Sequence, residues 1–186
     1  MPLEQVKYLR LNGEAVKSIL NGDKTQLRFA LKKQDILGGT MTDAGFLAGI
    51  AEHPDCGGEV IKPPYSVGSI IAVRETWARD PFSDGYIYPT EISGANQRWE
   101  PSVRMPKEAA RIFLRITNIR AERLQDITLE DIEREGIWLN GTLLPREHFA
   151  DRYNRSLSKK KREMYSWDKN PWVWVVTFKR CNKPEV

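Results

Sequence analysis

Seven consecutive residues near the end of the chain, Trp172-Val-Trp-Val-Val-Thr-Phe178, are all β-branched or aromatic. Side chains of that shape pack well on a pleated surface, so the run reads as a central strand around which a sheet is built. Two further runs extend the same logic. Ser69-Ile-Ile-Ala-Val-Arg-Glu75 follows the turn Ser66-Val67-Gly68 and reads as a buried strand. Arg111 to Arg120 alternates, with Ile112, Leu114 and Ile116 on one face and Arg111, Phe113 and Arg115 on the other. Val6 to Leu11 supplies an opening strand.

Helical signals are fewer. Ala15, Val16, Ile19 and Leu20 make one apolar stripe over residues 14–21, and Gly22 stops the helix. A second short helix starts at Thr128, a capping residue with Asp131 three positions on, and ends at Gly136. Residues 34–64 are rich in glycine with no sustained period and read as an irregular, loop-rich insertion. With no βαβ rhythm and no internal repeat, the expected fold class is α+β: a small mixed β-barrel with short flanking helices, formed by one domain over residues 1–186.

Composition excludes several classes. The 186 residues are 40% hydrophobic and include six Trp, six Tyr and six Phe, enough to build a core. No apolar run approaches the roughly 18 residues of a membrane helix, and the first residues lack a signal-peptide core. The expectation is a cytoplasmic protein without membrane association. Cys56 and Cys181 imply neither a disulfide framework nor a metal cluster, and His53 and His148 lack ligand or catalytic partners. No phosphate loop, dinucleotide fingerprint or metal motif is present, so no cofactor is expected. The formal charge of +4 tilts towards anionic partners without deciding for nucleic acid.

Two polar segments stand apart from this scaffold: Gly22-Asp-Lys-Thr-Gln-Leu-Arg28 and Thr128-Leu-Glu-Asp-Ile-Glu-Arg-Glu-Gly136. A lysine just after a helix stop and a glutamate at the end of another helix add little stability and suit binding or proton transfer. Glu135 lies at the negative end of its helix with Glu133 nearby, which disfavours an ionised carboxylate; an opposing Lys24 would offset that. Arg28 and Arg74 carry planar forks suited to phosphate, although Arg74 can instead join Glu75 in a network that buttresses the barrel. Trp77, Trp99 and Trp172 read as core before they read as stacking platforms. Lys159-Lys160-Lys161-Arg162, followed by Tyr165 and Trp167, is either a solvated face or a backbone-binding patch, with Lys160 and Lys161 its candidates.

The same residues carry a resemblance. Val-Arg-Glu-Thr-Trp at 73–77, Met-Pro at 105–106 followed by Ala-Arg-Ile, Glu-Arg-Leu-Gln-Asp-Ile at 122–127 and Asn-Pro-Trp-Val-Trp at 170–174 occur in an order that resembles ASCH-domain proteins of the PUA-like superfamily, in their phage and prophage branch. The resemblance implies a small β-barrel whose cleft handles RNA or modified nucleosides, in the host cytoplasm if phage-encoded. In a family member that removes acyl groups from N4-acetylcytidine, a lysine, a threonine and a glutamate are the proposed catalytic residues. The lysine matches Lys24 and the glutamate Glu135. The threonine position holds Leu27, and Thr25 would need a different loop geometry to replace it. Binding of RNA or a modified nucleoside through Lys24, Thr25, Arg28, Arg74, Glu135, Lys160 and Lys161 is therefore the first expectation. The alternative is a hydrolase using Lys24 and Glu135, either an N4-acylcytidine amidohydrolase or a metal-independent ribonuclease. A phage structural role has no residue-level support.

Overall fold

The computed structural model describes residues 6–42, 45–50, 59–92, 97–137 and 144–184. The first half of the chain forms β1 (Lys7–Arg10), α1 (Gly13–Asn21), β2 (Gln26–Ala30), β3 (Ile36–Thr42), β4 (Gly45–Ile50), β5 (Glu59–Ile61), β6 (Ile70–Arg74), β7 (Ala78–Arg79) and β8 (Tyr86–Ile87). The second half forms β9 (Phe113–Arg123), α2 (Leu129–Arg134), α3 (Pro145–Ser156), α4 (Lys159–Tyr165) and β10 (Trp172–Cys181). The architecture is α+β. His53, Cys56 and Gly94 lie outside the described residues.

The main sheet has the order β1-β6-β9-β10-β2, with β1 parallel to β6 and the other pairings antiparallel. The aromatic and β-branched run in β10 has its physical reason here, because β10 is paired on both sides and covered on both faces. Trp174, Val176 and Phe178 join Val16 and Ile19 of α1 in one core, while Val173 and Val175 join Ile132 of α2 and Phe149 and Tyr153 of α3 in another. A strand buried on both faces has no room for a polar alternation. The expected alternation in β9 is also present: Ile112, Leu114 and Ile116 pack with α1, and Phe113 enters a third core with Trp77, Tyr88 and Met105. Between Thr177 and Phe178 the register against β9 shifts by one residue, Thr177 facing Asn118 and Phe178 facing Ile116. Such a bulge bends the sheet.

Two expectations change. Among the described residues the five-stranded sheet does not close into a barrel, since β1 and β2 stand at its two ends without pairing to each other. The described residues among 34–64 are not structureless either. They contain an antiparallel sheet in the order β3-β4-β5, whose glycines, among them Gly38, Gly39 and Gly49, dilute the β-signal that Ile36, Thr40 and Thr42 carry. Two helices beyond those expected, α3 and α4, follow α2. The exposed residues of α3 are strongly polar, and its buried side chains are Phe149, Ala150 and Tyr153.

Candidate functional site

A cleft of about 580 Å³ occupies the place where closure of the sheet would be expected. Leu9, Arg10 and Leu11 line it from the β1 side, Leu27 to Ala30 from the β2 side, and Phe149, Arg152, Tyr153, Lys161 and Tyr165 from α3 and α4. Lys24 and Glu135 both border it.

Local chain chemistry brings those two residues together. Gly22 ends α1 at φ +87°, a left-handed conformation that glycine adopts without strain, and the amides of Asp23 and Lys24 then donate to the carbonyl of Ser18. The chain leaves α1 in the direction that sets Lys24 against Glu135 as an isolated antiparallel bridge. Thr25 continues it, its amide donating to the Arg134 carbonyl at 2.8 Å and its carbonyl accepting from the Phe178 amide at 2.9 Å. On the other side, the Thr128 hydroxyl caps α2 by accepting from the Asp131 amide, and Glu135 closes the helix before Gly136 turns away at φ +78°. A Cβ at Gly136 would lie 2.7 Å from the Ser18 hydroxyl oxygen, so the close approach of α1 to this turn requires glycine.

Lys24 Nζ donates to Glu135 Oε2 and, at 3.0 Å, to the Glu135 backbone carbonyl. The pair is dry: the side chains are 7% and 8% exposed. Burial pushes the Lys24 ammonium below its ordinary pKa; attraction to Glu135 opposes that shift, and repulsion from Arg152 and Arg28 adds to it.

The other residues follow from strand register. Arg28 faces Val175 across the β2–β10 pairing, and Val175 faces Arg120 of β9; two residues on, Val173 faces Glu122. Gln26, Arg28, Arg120 and Glu122 therefore lie on the sheet face that α2 covers. Arg28 spans the valines, its Nη1 donating to Glu135 Oε1 at 2.8 Å and its Nη2 reaching Glu122 at 2.9 Å and Asp131 at 3.1 Å. Gln26 Nε2 donates to Asp131 Oδ1 at 2.9 Å, and Arg120 reaches both Asp131 and Glu122. Burial alone would lower the Arg28 pKa, but Glu135 and Glu122 outweigh it and the net shift is upward. The Arg28 side chain is only 1% exposed, so its role in the free protein is to hold the carboxylates in place.

Of the residues expected from sequence, Lys24, Arg28, Glu135 and Lys161 border the cleft. Thr25 is pinned beside it by its backbone. Lys160 is exposed on α4, outside the lining. Arg74 also lies outside, its guanidinium stacked 4.5 Å over the Tyr8 ring. The Arg74–Glu75 network is replaced by another: Glu75 takes a two-pronged bond from Arg111 at 2.9 and 3.1 Å, because neighbours along the chain point to opposite faces. Leu27 sits on the face of β2 opposite Arg28, packed against the core shared with α1. Gln26, Glu122, Arg152 and Tyr153 were not singled out from sequence, and Asp131 only as part of the cap of α2; the one sequence signal for Tyr153 is its helical spacing from Phe149. Trp77 is buried, and Trp172 donates its indole N–H to the Ile36 carbonyl, as core residues do. His148 is exposed on α3, and no metal-binding cluster occurs among the described residues.

No protein-family model matches the chain, and no curated protein matches it significantly. Among the solved structures that resemble it distantly are these two. One is an ASCH domain from Lactobacillus crispatus, 10% identical, with a TM-score of 0.46, covering 97% of this chain and 84% of its own. The other is protein EF3133 from Enterococcus faecalis, of the DUF984 family, 9% identical with a TM-score of 0.43; the match covers 89% of this chain and 66% of that protein.

Proposed function

We propose that the cleft between β1 and β2 binds RNA or a modified nucleoside, in the manner that the ASCH-like motifs imply. The observation that carries this reading is the charge of the lining. Six basic side chains, Arg10, Lys24, Arg28, Lys32, Arg152 and Lys161, face one carboxylate, Glu135. Lys24 and Arg28 are matched by Glu135, Glu122 and Asp131. The other four make no ion pair with a described carboxylate, in a chain whose net charge is only +4. Phe29, Phe149, Tyr153 and Tyr165 border the same space and supply faces and edges for a base. The volume falls within the range of about 300–1,000 Å³ common for small-ligand sites.

Three or four phosphate contacts by these cations predict a salt slope of about −2 to −3 for a single strand. Fluorescence anisotropy with a labelled single-stranded RNA at roughly 50 to 200 mM salt measures it. Exchanging Arg10, Lys32 and Lys161 together for alanine is expected to flatten the slope. Absence of measurable affinity for RNA and nucleosides at low salt would remove the reading.

One observation favours a second reading, a hydrolase. A lysine held below its ordinary pKa and in contact with a carboxylate, at the border of an open cleft, can pass a proton to or from a bound substrate. Since position 27 offers no hydroxyl nucleophile, the chemistry would direct a water at the acyl carbonyl carbon, with the C–N bond breaking and the exocyclic amine leaving with a proton, or at an RNA phosphorus, with a P–O bond breaking and the ribose oxygen leaving with a proton. Purified protein should then deacylate N4-acetylcytidine or cleave RNA faster than Glu135→Gln; equal rates would dismiss catalysis.

A further inference from the structure

We infer that Tyr153 is a specificity-determining residue of the cleft, donating a hydrogen bond to a neutral acceptor on the ligand's base, a ring carbonyl or ring nitrogen, beside Glu135. The inference rests on the cleft being a nucleotide site. Tyr153 lies on α3, is 7% exposed and borders the cleft. Its hydroxyl has no hydrogen-bond partner among the described residues, and neither has Nε of Arg28, which borders the same cleft. Three other buried polar atoms without a partner among the described residues, Tyr8 Oη, Arg74 Nε and Trp77 Nε1, lie outside the cleft lining; the two at Tyr153 and Arg28 border open space, where an acceptor can arrive with the ligand.

The surroundings choose the kind of acceptor. The Tyr153 ring is fixed by near-parallel stacking on Phe149 at 6.0 Å and 26°, and Phe149 in turn lies under the Arg28 guanidinium at 5.6 Å. This inner wall also carries Ile137 and Leu157, an apolar lining that suits a flat heterocycle and not a hydrated phosphate. Phosphate is better served by Arg10, Lys32 and Lys161 elsewhere in the lining. Tyr153 shares the cleft lining with Glu135 and Arg28; burial chiefly, helped by Glu135 and opposed by Arg28, keeps its phenol protonated and so a donor. A fixed phenol donor near a carboxylate acceptor complements a heterocycle edge that shows an N–H next to a carbonyl or ring nitrogen, the pattern nucleobases present.

The test compares wild type with Tyr153→Phe, which keeps the ring and removes only the hydroxyl. Binding of CMP, UMP, AMP, GMP and ribose 5-phosphate is measured by calorimetry, and stability of the free proteins by thermal unfolding. The expected result is a melting temperature equal to or above wild type, since an unpaired buried hydroxyl is lost. With it should come a roughly five- to tenfold loss of affinity for the tightest-binding nucleotide and unchanged affinity for ribose 5-phosphate. Equal nucleotide affinity in both proteins overturns the role of Tyr153 while leaving the cleft intact as a binding site. A lower melting temperature with unchanged binding assigns the hydroxyl to the fold and also overturns it. If wild type binds none of the five probes, the nucleotide reading fails and the inference falls with it.

Discussion

Glu135→Gln should be much more damaging than Lys24→Met, although each removes one half of the same ion pair. The asymmetry follows from what each leaves behind. The glutamine variant keeps the backbone carbonyl of residue 135 as an acceptor at 3.0 Å, but it removes the carboxylate and strands a cation that is 7% exposed with no opposite charge against it. Breaking a buried pair in this way costs about 3–5 kcal/mol. In Lys24→Met the carboxylate keeps Arg28 at 2.8 Å and an apolar chain fills the space, so no buried charge is left unpaired and the cost should fall well below that of Glu135→Gln. The double variant leaves Arg28 with Glu122 and Asp131, so it should recover about 2 kcal/mol relative to Glu135→Gln alone. Urea unfolding measures these differences; a loss of about 3 kcal/mol corresponds to roughly 6–12 °C in melting temperature for a chain of this size. The pH dependence supplies a second check. Lys24 has a folded pKa below its ordinary 10.5, so between that lowered value and 10.5 the unfolded chain binds more protons and stability rises with pH. Without Glu135 to oppose burial, Lys24 lies lower still in Glu135→Gln, so the deficit of that variant should shrink as pH rises from neutrality towards 10.5, and in Lys24→Met the Lys24 contribution to the rise should vanish. A Glu135→Gln protein within about 1 kcal/mol of wild type at neutral pH, or one that worsens as pH rises, would refute the reasoning.

Other outcomes follow from the same geometry. Burial raises Tyr65 and pushes Tyr88 and Tyr153 further, up to about 12, so ultraviolet titration of the six tyrosines should show two phenolates near 12, one lost in Tyr88→Phe and the other in Tyr153→Phe. A raised folded pKa stabilises below the unfolded value near 10 and loses that contribution towards 12, so Tyr153→Phe should lose less stability than wild type in this alkaline window. Gly136→Ala should cost about 2–3 kcal/mol in urea unfolding, from the left-handed backbone and the Ser18 hydroxyl 2.7 Å away. Adding Ser18→Ala should recover part of it, because the Ser18 Cβ at 3.1 Å remains.

The scaffold was largely legible in sequence because its signals are local. The run in β10, the alternation of Ile112, Leu114 and Ile116, and the glycines at 22 and 136 each declare themselves within a few residues, and each holds the place it announced. Lys24 and Glu135 were legible as a pair through the motif order and meet as expected. The carboxylates around Arg28 were not, because period two tells which face Arg120 and Glu122 occupy but not that β10 separates them from β2, nor where the shift at Thr177 sets the register. The open seam of the sheet is equally non-local, since β1 and β2 are close in sequence and become the two ends of the sheet only through the partners of β6 and β10. Tyr153 was missed because α3 shows little apolar surface; Phe149, Ala150 and Tyr153 form its whole buried stripe. The sheet over β3 to β5 was hidden by glycine, which weakens strand propensity without preventing pairing.

The central claim is that the seam between β1 and β2 is a ligand site, with Lys24 and Glu135 at its border. Backbone amide shifts recorded by nuclear magnetic resonance during titration with CMP and a short single-stranded RNA test it most directly. The account predicts perturbations concentrated at 9–12, 24–30, 135–137 and 149–165, with residues around Glu75 and Arg111 unchanged. Saturable perturbations centred on the Glu75 and Arg111 side, or none at the seam, would contradict it.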